Sequence, residues 1–482
     1  MHFIVKFFPE IIVKSPAVRK RMARTLKHNI QRVLKGVGDR LSVTQDWEKI
    51  EVVLQGEDPN VREELVRRLS RTPGIVKFHE VVAERFVDLD HAAEFTGAHV
   101  GPDLEGKTFC VRVKRHGNHD FRSTDAERVI GSYLMQRANP AGVNLKKPDI
   151  QVNLEIKHAQ LFLMGEEWPG LGGYPLGEQD AVLSLISGGF DSSVASYLTT
   201  RRGLVTHFLF FNLGGRAHEI GVKEVAHYLW ERYSPSHPVS FITVPFEPIV
   251  AEILQNIPKS YMGVALKRMM YRVADKLAAK YGYPALVTGE SVAQVSSQTL
   301  ANLRVIDSVT DALILRPLAT TNKDEIIAIA RQIDTEGFAA AMPEYCGVIS
   351  SHPTTNARPH IIEDAERSFN FDLLDAATEQ HGCEDIRDVL DSLEGIPVDT
   401  YSEPKVGAQI VDVRHPDEIE KLPLVIEGQS ITEIPYFRIQ KEFAEMNPKT
   451  TYLLYCARGV MSRLHAELLI DSGHQNVAVY RP

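Results

Sequence analysis

Residues 181–193 read Ala181-Val-Leu-Ser-Leu-Ile-Ser-Gly-Gly-Phe-Asp-Ser-Ser193, and the rest of the chain is arranged around them. The first six residues are mostly apolar, which is typical of a central strand buried in a parallel sheet. Gly188 and Gly189 permit a tight turn, and Asp191 follows at the start of a predicted helix. Amides at a glycine turn beside a helix N-terminus bind anions. The stretch therefore predicts a strand, an anion-binding loop and a helix.

Strands and helices alternate on the C-terminal side of this loop. The predicted strands are 204–211, 240–244 and 285–288, and the predicted helices are 222–232 and 264–281. This alternation is typical of a doubly wound parallel sheet, whose ligands bind at the carboxyl ends of the strands. We assign residues 167–395 to this domain. We interpret the acidic segment 361–403 as a helical linker that also packs on the domain.

The string Ser187-Gly-Gly-Phe-Asp-Ser192 resembles the pyrophosphate loop (PP-loop) of ATP pyrophosphatases, which activate an oxygen atom by adenylation. This resemblance implies that ATP and Mg²⁺ bind here. Candidate nucleotide ligands lie at the strand ends or match positions of the family, and they are Leu185, Ile186, Ser187, Gly188, Gly189, Ser192, Phe210, Phe211, Lys267, Gly289, Gln298 and Lys323. The two phenylalanines could flank an adenine or pack in the core, and isolated lysines are surface residues by default.

Asp191 has two interpretations that the sequence leaves open. An aspartate at the start of a helix is a common N-cap. A carboxylate beside a phosphate loop is also a suitable ligand for Mg²⁺, which prefers one or two carboxylates together with phosphate oxygens. The two roles are compatible, and we predict that Asp191 is catalytic. At the end of a later strand, Gly289 permits close approach of a base or ribose.

Length and composition restrict the class of protein. The 482 residues are 44% hydrophobic and 24% charged, which is typical of a globular protein of about three or four domains. No apolar run reaches the ~18 residues of a membrane span, and the N-terminus lacks the features of a signal peptide. Four cysteines in such a long chain do not form a disulfide scaffold. We therefore expect a cytoplasmic protein with no membrane partner.

The N-terminal part is basic although the formal net charge of the chain is −9. Residues 1–40 contain ten Lys or Arg against two acidic residues, whereas 361–403 contain thirteen Asp or Glu against two basic ones. This asymmetry indicates either a solvated basic face or a phosphate-binding surface confined to the N-terminal part. The predicted order of strand, helix, two strands, helix and strand over residues 1–80 indicates a ferredoxin-like unit.

Residues 81–166 form a second α/β module with a basic strand. In Lys107-Thr-Phe-Cys-Val-Arg-Val-Lys-Arg115, apolar residues alternate with polar or basic ones. The module resembles a THUMP domain, which implies that it holds the acceptor end of tRNA. Because RNA backbones are contacted mainly by Lys and Arg, the RNA-binding candidates are Arg112, Lys114 and Arg115. Residues 101–108 fit the Walker A pattern, but a predicted strand follows them instead of a helix, so we reject that match.

The last module, 404–482, is a small α/β unit with a cysteine loop. Ile410-Val-Asp-Val-Arg414 and Tyr455-Cys-Ala-Arg-Gly-Val-Met-Ser-Arg463 resemble a rhodanese domain, in which a cysteine begins a loop of outward amides that leads into a helix. Cys456 matches the reactive cysteine, although Ala457 stands where arginine is frequent. Loop amides and the helix dipole would stabilise a thiolate or a persulfide there. The alternative is a buried structural cysteine.

THUMP, PP-loop and rhodanese signals in this order resemble the family of tRNA uracil 4-sulfurtransferases over essentially the whole chain. The resemblance implies that a cysteine desulfurase loads Cys456 with a persulfide, that ATP adenylates the 4-oxygen of uridine at position eight of tRNA, and that sulfur replaces this oxygen. It also implies that Cys346 attacks Cys456 to form a disulfide, and that the protein passes sulfur to a carrier of thiamine thiazole synthesis. Whether two copies form a homodimer stays open.

The sequence also allows two other functions. Another PP-loop ligase, one that forms an amide or a guanylate, would need an ammonia source, but the chain has no glutaminase pattern. A sulfur carrier or RNA-binding scaffold would not need an active PP-loop, and the intact residues 187–192 argue against it. Pyrophosphate release that depends on both ATP and tRNA would distinguish the three functions.

Overall fold

The structure is a computed structural model of the 482-residue chain. It describes all residues except 39, 47–48, 57, 214, 343–351, 391–397, 406, 427 and 458–459. The described chain divides into two compact units, Met1–Glu178 and Gln179–Pro482.

An eight-stranded sheet forms the centre of the described part of the first unit. Its strands are β1 His2–Phe7, β2 Leu41–Gln45, β3 Lys49–Leu54, β4 Ile75–Arg85, β5 Thr108–His116, β6 Gly142–Val143, β7 Ile150–Lys157 and β8 Gln160–Pro169. The strand order is β2-β3-β1-β4-β8-β7-β5-β6. The α-helices of this unit are α1 Pro9–Ile12, α2 Pro16–Val33, α3 Pro59–Ser70, α4 Leu89–Val100 and α5 Ser123–Arg137.

The ferredoxin-like order predicted for residues 1–80 is confirmed. β1 lies between β3 and β4 and pairs with both in antiparallel register. Helix α2 places Met22, Leu26 and Ile30 in the core of this sheet. β4 continues past residue 80 and pairs with β8, so the ferredoxin-like and THUMP segments share one sheet. The boundary that we predicted at residue 80 therefore falls inside a strand.

The segment 101–108 is followed by a strand, as predicted. A 3-10 helix, Gly101–Leu104, precedes β5. β5 pairs in parallel with β7, and Phe109, Val111 and Val113 lie in the core of this part of the unit. Because a phosphate-binding P-loop needs a helix at this point, the Walker A match in the sequence is accidental.

The second unit contains the doubly wound sheet. Its strands, within the described residues, are β9 Val182–Leu185, β10 Thr206–Asn212, β11 Ser240–Pro245, β12 Ala285–Val287, β13 Leu313–Leu315 and β14 Gly382–Asp385. The helices of this domain are α6 Phe190–Arg202, α7 Gly215–Tyr233, α8 Glu247–Asn256, α9 Met262–Tyr281, α10 Leu300–Asp307, α11 Lys323–Gln332, α12 Glu336–Ala341, α13 Pro359–Glu366 and α14 Asp372–Glu379. The strand order is β13-β12-β9-β10-β11-β14. The apolar run at 181–186 thus forms a central strand, as predicted.

The acidic segment 361–403 differs from the helical linker that we predicted. It contributes most of α13 and all of α14, but it also contains β14, which pairs with β11 in antiparallel register from Ser240 to Thr243. The sequence of β14, Gly-Cys-Glu-Asp, has low intrinsic strand propensity. Pairing with the exposed edge of β11 stabilises it as a strand, and no local pattern signals that pairing.

The rhodanese segment adds a second, parallel sheet to the same compact unit. Its strands are β15 Thr400–Tyr401, β16 Gln409–Asp412, β17 Ile431–Glu433, β18 Tyr452–Tyr455 and β19 Val477–Tyr480, in the order β15-β19-β18-β16-β17. Its helices are α15 Pro416–Lys421, α16 Tyr436–Phe443 and α17 Val460–Asp471. A search of the described helices of the whole chain finds none with the length and apolar character of a membrane span.

Candidate functional site

The PP-loop connects the end of β9 to the start of α6. Gly188 has a φ of +82°, which favours glycine, and Gly189 is the N-cap of α6. Ser192 closes the loop internally, because its hydroxyl oxygen lies 3.2 Å from the amide nitrogen of Ser187 and 3.3 Å from the carbonyl oxygen of Gly189. The N-terminus of α6 therefore stands at the carboxyl edge of a central strand, which is an anion-binding geometry.

Two glycines in this region lie in close contact with other parts of the chain, and at Gly289 the contact is with backbone atoms, which cannot move aside easily. A Cβ atom on Gly188 would collide with Cε of Met342. A Cβ atom on Gly289 would lie 2.5 Å from the carbonyl carbon of Asp191 and 2.6 Å from the amide nitrogen of Ser192. We predicted that Gly289 permits approach of a base or ribose. In the structure, the group that approaches it is the backbone of α6.

The carboxylate of Asp191 is held between two side chains from distant parts of the sequence. Oδ1 accepts from Nζ of Lys323 at 2.7 Å, and Oδ2 accepts from Nε2 of Gln294 at 2.7 Å. Asp191 lies in the first turn of α6, but no side chain caps this helix. The capping role considered above is therefore not the one that the structure shows.

The groups around Asp191 fit Mg²⁺ only in the presence of phosphate oxygens. Within the described part of the chain, no cluster of three or more His, Cys, Asp or Glu side chains could hold a metal ion. Asp191 supplies a single carboxylate, about a quarter of which is exposed. Because Mg²⁺ in nucleotide sites binds one or two carboxylates and several phosphate oxygens, a lone Asp191 is a sufficient protein ligand.

Lys267, near the start of α9, is held by a buried carboxylate at the end of β12. Its Nζ lies 2.7 Å from Oε1 of Glu290, and Nε of Arg316 lies 2.8 Å from Oε2. Burial raises the pKa of Glu290, but the opposing charges of Lys267 and Arg316 and the hydrogen bonds outweigh it, and the pKa falls to about 2. An ionised Glu290 thus fixes Lys267 beside the edge of the sheet.

The apolar candidates at the strand ends are core residues. Ile186, Phe210 and Phe211 are at most 6% exposed, and Leu185 packs against the same core. The ring of Phe211 contacts that of Phe246, with centroids 4.7 Å apart. The structure shows the packing role for both phenylalanines, and a contact with adenine stays a prediction.

Gln298 is a buried residue whose amide oxygen is unsatisfied. The residue is 7% exposed, and its Oε1 has no hydrogen-bond partner among the residues that the structure describes. A buried polar atom without a partner costs about 1–3 kcal/mol. A ligand that brings an N–H or O–H donor would remove this cost, and the contact of Gln298 with a nucleotide stays a prediction.

Sequence reasoning missed His218, which lies directly against the PP-loop. Its Nε2 is 3.3 Å from the carbonyl oxygen of Ser187, and its ring packs edge-on against Phe210 with centroids 4.8 Å apart. Burial lowers the pKa of His218, so the ring is neutral near pH 7 and its Nε2–H donates to the carbonyl. Nothing in the sequence singles out a histidine inside α7, and only the tertiary contact identifies it.

Cys456 lies between β18 and α17 and is 6% exposed. Its Sγ accepts a hydrogen bond from the amide of Ser462 at 3.3 Å and lies 3.4 Å from the hydroxyl of the same residue. This amide belongs to the first turn of α17, so the sulfur is placed at a helix N-terminus as predicted. The neighbouring cation Arg463 lies 3.1 Å from Glu467. Residues 458–459, with Arg458, lie outside the described residues.

Cys346 also lies outside the described residues, in the segment 343–351. The residue before this segment, Met342, packs its thioether on Gly188 of the PP-loop and near Gly221 of α7. The last described residue before this segment therefore lies at the PP-loop.

The three RNA-binding candidates lie on β5 in the first unit. Lys114 is exposed, whereas Arg112 and Arg115 are half-buried. The guanidinium of Arg112 donates to the carbonyl of Leu145 at 3.0 Å, and that of Arg115 donates to the carbonyl of His119 at 3.1 Å. These contacts fix the direction of both side chains along the strand.

Sequence models of known families match most of the chain. The model described as "ThiI ferredoxin-like domain" matches residues 2–79, and the "THUMP domain" model matches 87–165. The model described as "Thiamine biosynthesis protein (ThiI)" matches residues 177–371, which include the PP-loop. The "Rhodanese-like domain" model matches 399–481, which include Cys456.

Full-length relatives and a solved structure agree with these matches. The tRNA sulfurtransferases of Tolumonas auensis and Saccharophagus degradans are 50% and 48% identical to this chain, and each comparison covers 100% of both chains. A crystal structure of a 4-thiouridine synthetase–RNA complex with bound ATP is 25% identical with a TM-score of 0.70, over 80% of this chain and 99% of that one. Together with the PP-loop and the cysteine loop described above, this identity over the whole length shows that the chain belongs to the tRNA sulfurtransferase family.

Proposed function

We propose that this chain is an ATP-dependent sulfurtransferase that converts uridine at position eight of tRNA to 4-thiouridine. The observation that carries the proposal is the juxtaposition, in one compact unit, of a PP-loop with a clamped Asp191 and a rhodanese loop with Cys456 at a helix N-terminus. The solved 4-thiouridine synthetase complex that resembles this chain contains RNA and ATP. We carry both ligands over to this chain as part of the proposal.

The PP-loop edge would bind ATP through its phosphates. The amides at the start of α6 and the ammonium groups of Lys267 and Lys323 would supply positive charge. Asp191 would hold Mg²⁺, which neutralises phosphate charge when bound. Lys323, which is now paired with Asp191, would then be free to contact a phosphate oxygen. The unsatisfied Oε1 of Gln298 would accept a hydrogen bond from the nucleoside.

Adenylation is needed because a carbonyl oxygen is a poor leaving group. The 4-oxygen of the uracil would attack the α-phosphate of ATP, and pyrophosphate would leave. Carbon 4 then carries an adenylate, and AMP is a good leaving group. Sulfur that attacks carbon 4 would displace AMP. This order of steps explains why the same unit contains a nucleotide loop and a sulfur-carrying loop.

Cys456 would deliver the sulfur as a persulfide that a cysteine desulfurase supplies. The outer sulfur of the persulfide attacks carbon 4, AMP leaves, and the tRNA is joined to Cys456 through a disulfide. The thiolate of Cys346 then attacks the Sγ of Cys456. This step breaks the bond to the outer sulfur, releases 4-thiouridine, and leaves a Cys346–Cys456 disulfide. An external dithiol reduces the disulfide and completes the cycle.

The position of Met342 supports the proposed role of Cys346. Met342, four positions before Cys346 in the sequence, packs its thioether on Gly188 of the PP-loop. A disulfide requires Cα atoms within about 7 Å of each other. The closeness in sequence of Cys346 to this contact supports its choice as the cysteine that resolves the intermediate.

The first unit would bind tRNA through Arg112, Lys114 and Arg115, because basic side chains on a strand and its loop suit an RNA backbone. We extend the proposal to sulfur transfer for thiamine thiazole synthesis, which the name of the family model that matches residues 177–371 supports.

The proposal is tested with purified protein, an unmodified tRNA transcript, ATP, Mg²⁺, cysteine and a cysteine desulfurase. Mass analysis of the nucleosides should find 4-thiouridine only in the complete mixture, and a transcript with cytidine at position eight should gain none. Pyrophosphate release without tRNA, together with unmodified nucleosides, would instead favour another PP-loop ligase. Sulfur loading without any pyrophosphate release would favour a sulfur carrier.

A further inference from the structure

The rhodanese segment is packed against two helices of the PP-loop domain, α7 and α12. Leu464 and Leu468 of α17 form a small buried cluster with Ile220 of α7. Arg216 of α7 lies 2.9 Å from Glu467 of α17 at the edge of this cluster. This contact is distinct from the residues assigned above to ATP, RNA or sulfur chemistry, and we refer to it as the docking interface.

A polar pair is buried in the docking interface. Nε2 of His465 lies 2.6 Å from Oε1 of Glu224, and the two side chains are 5% and 3% exposed. Removing one member of a buried, hydrogen-bonded pair leaves the other unsatisfied and costs several kcal/mol. Such a pair therefore fixes one relative orientation of the two helices more strictly than an apolar contact would.

Aromatic rings form the other half of the docking interface. Phe338 of α12 contacts Tyr436 and Phe437 of α16, with centroids 5.4 and 5.1 Å apart. The neighbouring residue is Gly337, whose lack of a side chain leaves room for the ring of Phe437. A Cβ atom on Gly337 would lie 2.9 Å from Cδ2 of Phe437 and closer still to Cε2. The ring of Phe437 thus rests directly on the backbone of α12.

The carboxyl edge of the rhodanese sheet, where Cys456 lies, contacts the PP-loop domain through His415. Residue Asp412 ends β16 and is paired with Tyr455, so His415 and Cys456 follow neighbouring strands at the same carboxyl edge. The ring of His415 packs on Tyr228 of α7, with centroids 5.2 Å apart.

Helix α12 joins the docking interface to the PP-loop. Phe338 lies at the docking interface, and four residues later Met342 packs on Gly188. One short helix thus contacts the sulfur-carrying module at one end and the nucleotide loop at the other. A substitution at Gly337 that disturbs docking should therefore change how the Cys456 edge approaches the PP-loop, although it alters neither loop itself.

We propose that Glu224, Gly337, His465 and Phe437 are positioning residues that hold the rhodanese module in the orientation from which Cys456 hands its sulfur to the activated tRNA. The inference rests on the proposed function and names the surface through which its two half-reactions are coupled. A module that is only tethered still has an effective concentration in the millimolar range, but it lacks a fixed orientation. Loss of docking should therefore slow the transfer of sulfur from Cys456 to tRNA about tenfold or more without abolishing it.

The test uses the full-length protein with Gly337→Ala and Gly337→Leu. Alanine and leucine favour a helix over glycine, so α12 itself should not be weakened. Both side chains would displace the ring of Phe437 from its present position. The control is Gly131→Ala in α5, where the nearest atom to a new Cβ is Cγ2 of Val111 at 3.9 Å. His465→Gln and Glu224→Gln disturb the same surface at its polar end.

Three rates are measured for each variant. They are persulfide loading of Cys456 by a desulfurase, tRNA-dependent pyrophosphate release, and single-turnover 4-thiouridine formation from preloaded protein. We expect the first two within twofold of wild type and the third lowered about tenfold or more in all four interface variants, with the Gly131→Ala control unchanged. Faster hydrogen exchange of the α16 amides should report loss of docking.

Two results would overturn the inference. One is a wild-type rate of single-turnover 4-thiouridine formation in both Gly337 variants. The other is an equal fall in all three rates, which would indicate general loss of structure. Failure of the proposed function itself is a different result, because the wild-type protein would then lack one of the half-reactions.

Discussion

The PP-loop after β9 and the cysteine loop after β18 have the same backbone arrangement. They differ in where the groups that contact Asp191 and Cys456 come from in the sequence. In both, a parallel strand ends at a loop that leads into a helix N-terminus. At the PP-loop, the side chains that hold Asp191 come from positions 294 and 323, more than 100 residues away in the sequence. At the cysteine loop, the amide that contacts Cys456 comes from Ser462, six residues away.

This difference follows from the chemistry that each loop would perform. A single sulfur needs only a few donors, and a loop with its own helix can supply them locally. A triphosphate is longer than one loop, so the positive charges that bind it have to come from several elements, as those of Lys267 in α9 and Lys323 in α11 do. Substitutions at the cysteine loop should therefore act on one step, whereas those at the PP-loop should spread to distant partners.

The largest expected effect is that of Cys456→Ser. A serine hydroxyl cannot carry a persulfide, so 4-thiouridine formation should fall below detection while tRNA-dependent pyrophosphate release continues. Nucleoside mass analysis and a pyrophosphate assay on the same protein measure both. Cys383→Ser, at an exposed cysteine on β14, is the matched control and should keep full activity. Residual thiolation in Cys456→Ser would mean that another sulfur carries the transfer.

Asp191→Asn should have the next largest effect. The variant keeps the shape of the side chain but loses the charge that pairs with Lys323 and would hold Mg²⁺. We expect pyrophosphate release to fall about 100-fold or more, a size common for loss of a group that stabilises transition-state charge, with persulfide loading of Cys456 unchanged. Asp364→Asn, at an exposed aspartate of α13, controls for the loss of one charge. Unaltered pyrophosphate release would remove Asp191 from the mechanism.

A smaller effect is expected when Arg112, Lys114 and Arg115 are all replaced by Gln. Losing about two to three phosphate contacts should weaken tRNA binding roughly 10- to 100-fold at low salt and make log Kd against log salt less steep by about two. The matched control removes three positive charges from the second unit, at Lys276, Arg367 and Arg387. Equal salt slopes for the two triple variants would show that β5 is a solvated basic face.

The smallest effect on catalysis is expected for Glu290→Gln, although the effect on stability is large. Lys267 loses its anchor, so the KM for ATP should rise a few-fold. The pKa of Glu290 is about 2 in the folded protein against an ordinary value of 4.5, which corresponds to about 3 kcal/mol of stability above pH 4.5. Because the folded-state pKa is the lower one, this contribution is lost as the pH falls from 4.5 toward 2.

Denaturant unfolding of wild type and Glu290→Gln at several pH values checks this prediction. The difference in the free energy of unfolding should be greatest near neutral pH and shrink below pH 4.5. A difference that is constant down to pH 3 would mean that packing, and not the charge of Glu290, is what the substitution removes.

The sequence was sufficient for those features that depend on local patterns. The apolar run before Ser187 predicted a central strand, the alternation around Val111 predicted β5, and the resemblance of the segment around Cys456 to a rhodanese loop implied a strand, a loop and a helix. In each case, the side chains that define the pattern lie within one or two turns or pleats of one another. A short stretch of sequence is therefore enough to predict each of these three features.

Features that depend on distant contacts were not predictable. β14 exists because an edge of β11 is available, His218 matters because its ring meets Ser187, and Gln294 matters because it reaches Asp191. The docking interface joins residues 224 and 465, which are 241 positions apart. With one sequence, nothing marks such pairs, because each residue is unremarkable in its own neighbourhood.

The central claim is that sulfur on Cys456 replaces an oxygen that the PP-loop domain has activated, and single-turnover transfer of labelled sulfur tests it most directly. Protein whose Cys456 carries a ³⁵S persulfide is mixed with tRNA, with or without ATP, and with no free sulfur donor. The account predicts that the label appears in 4-thiouridine at position eight only when ATP is present, with one AMP and one pyrophosphate formed per sulfur transferred. Transfer of label to tRNA without ATP, or ATP cleavage while the label stays on the protein or leaves as sulfide, would contradict it.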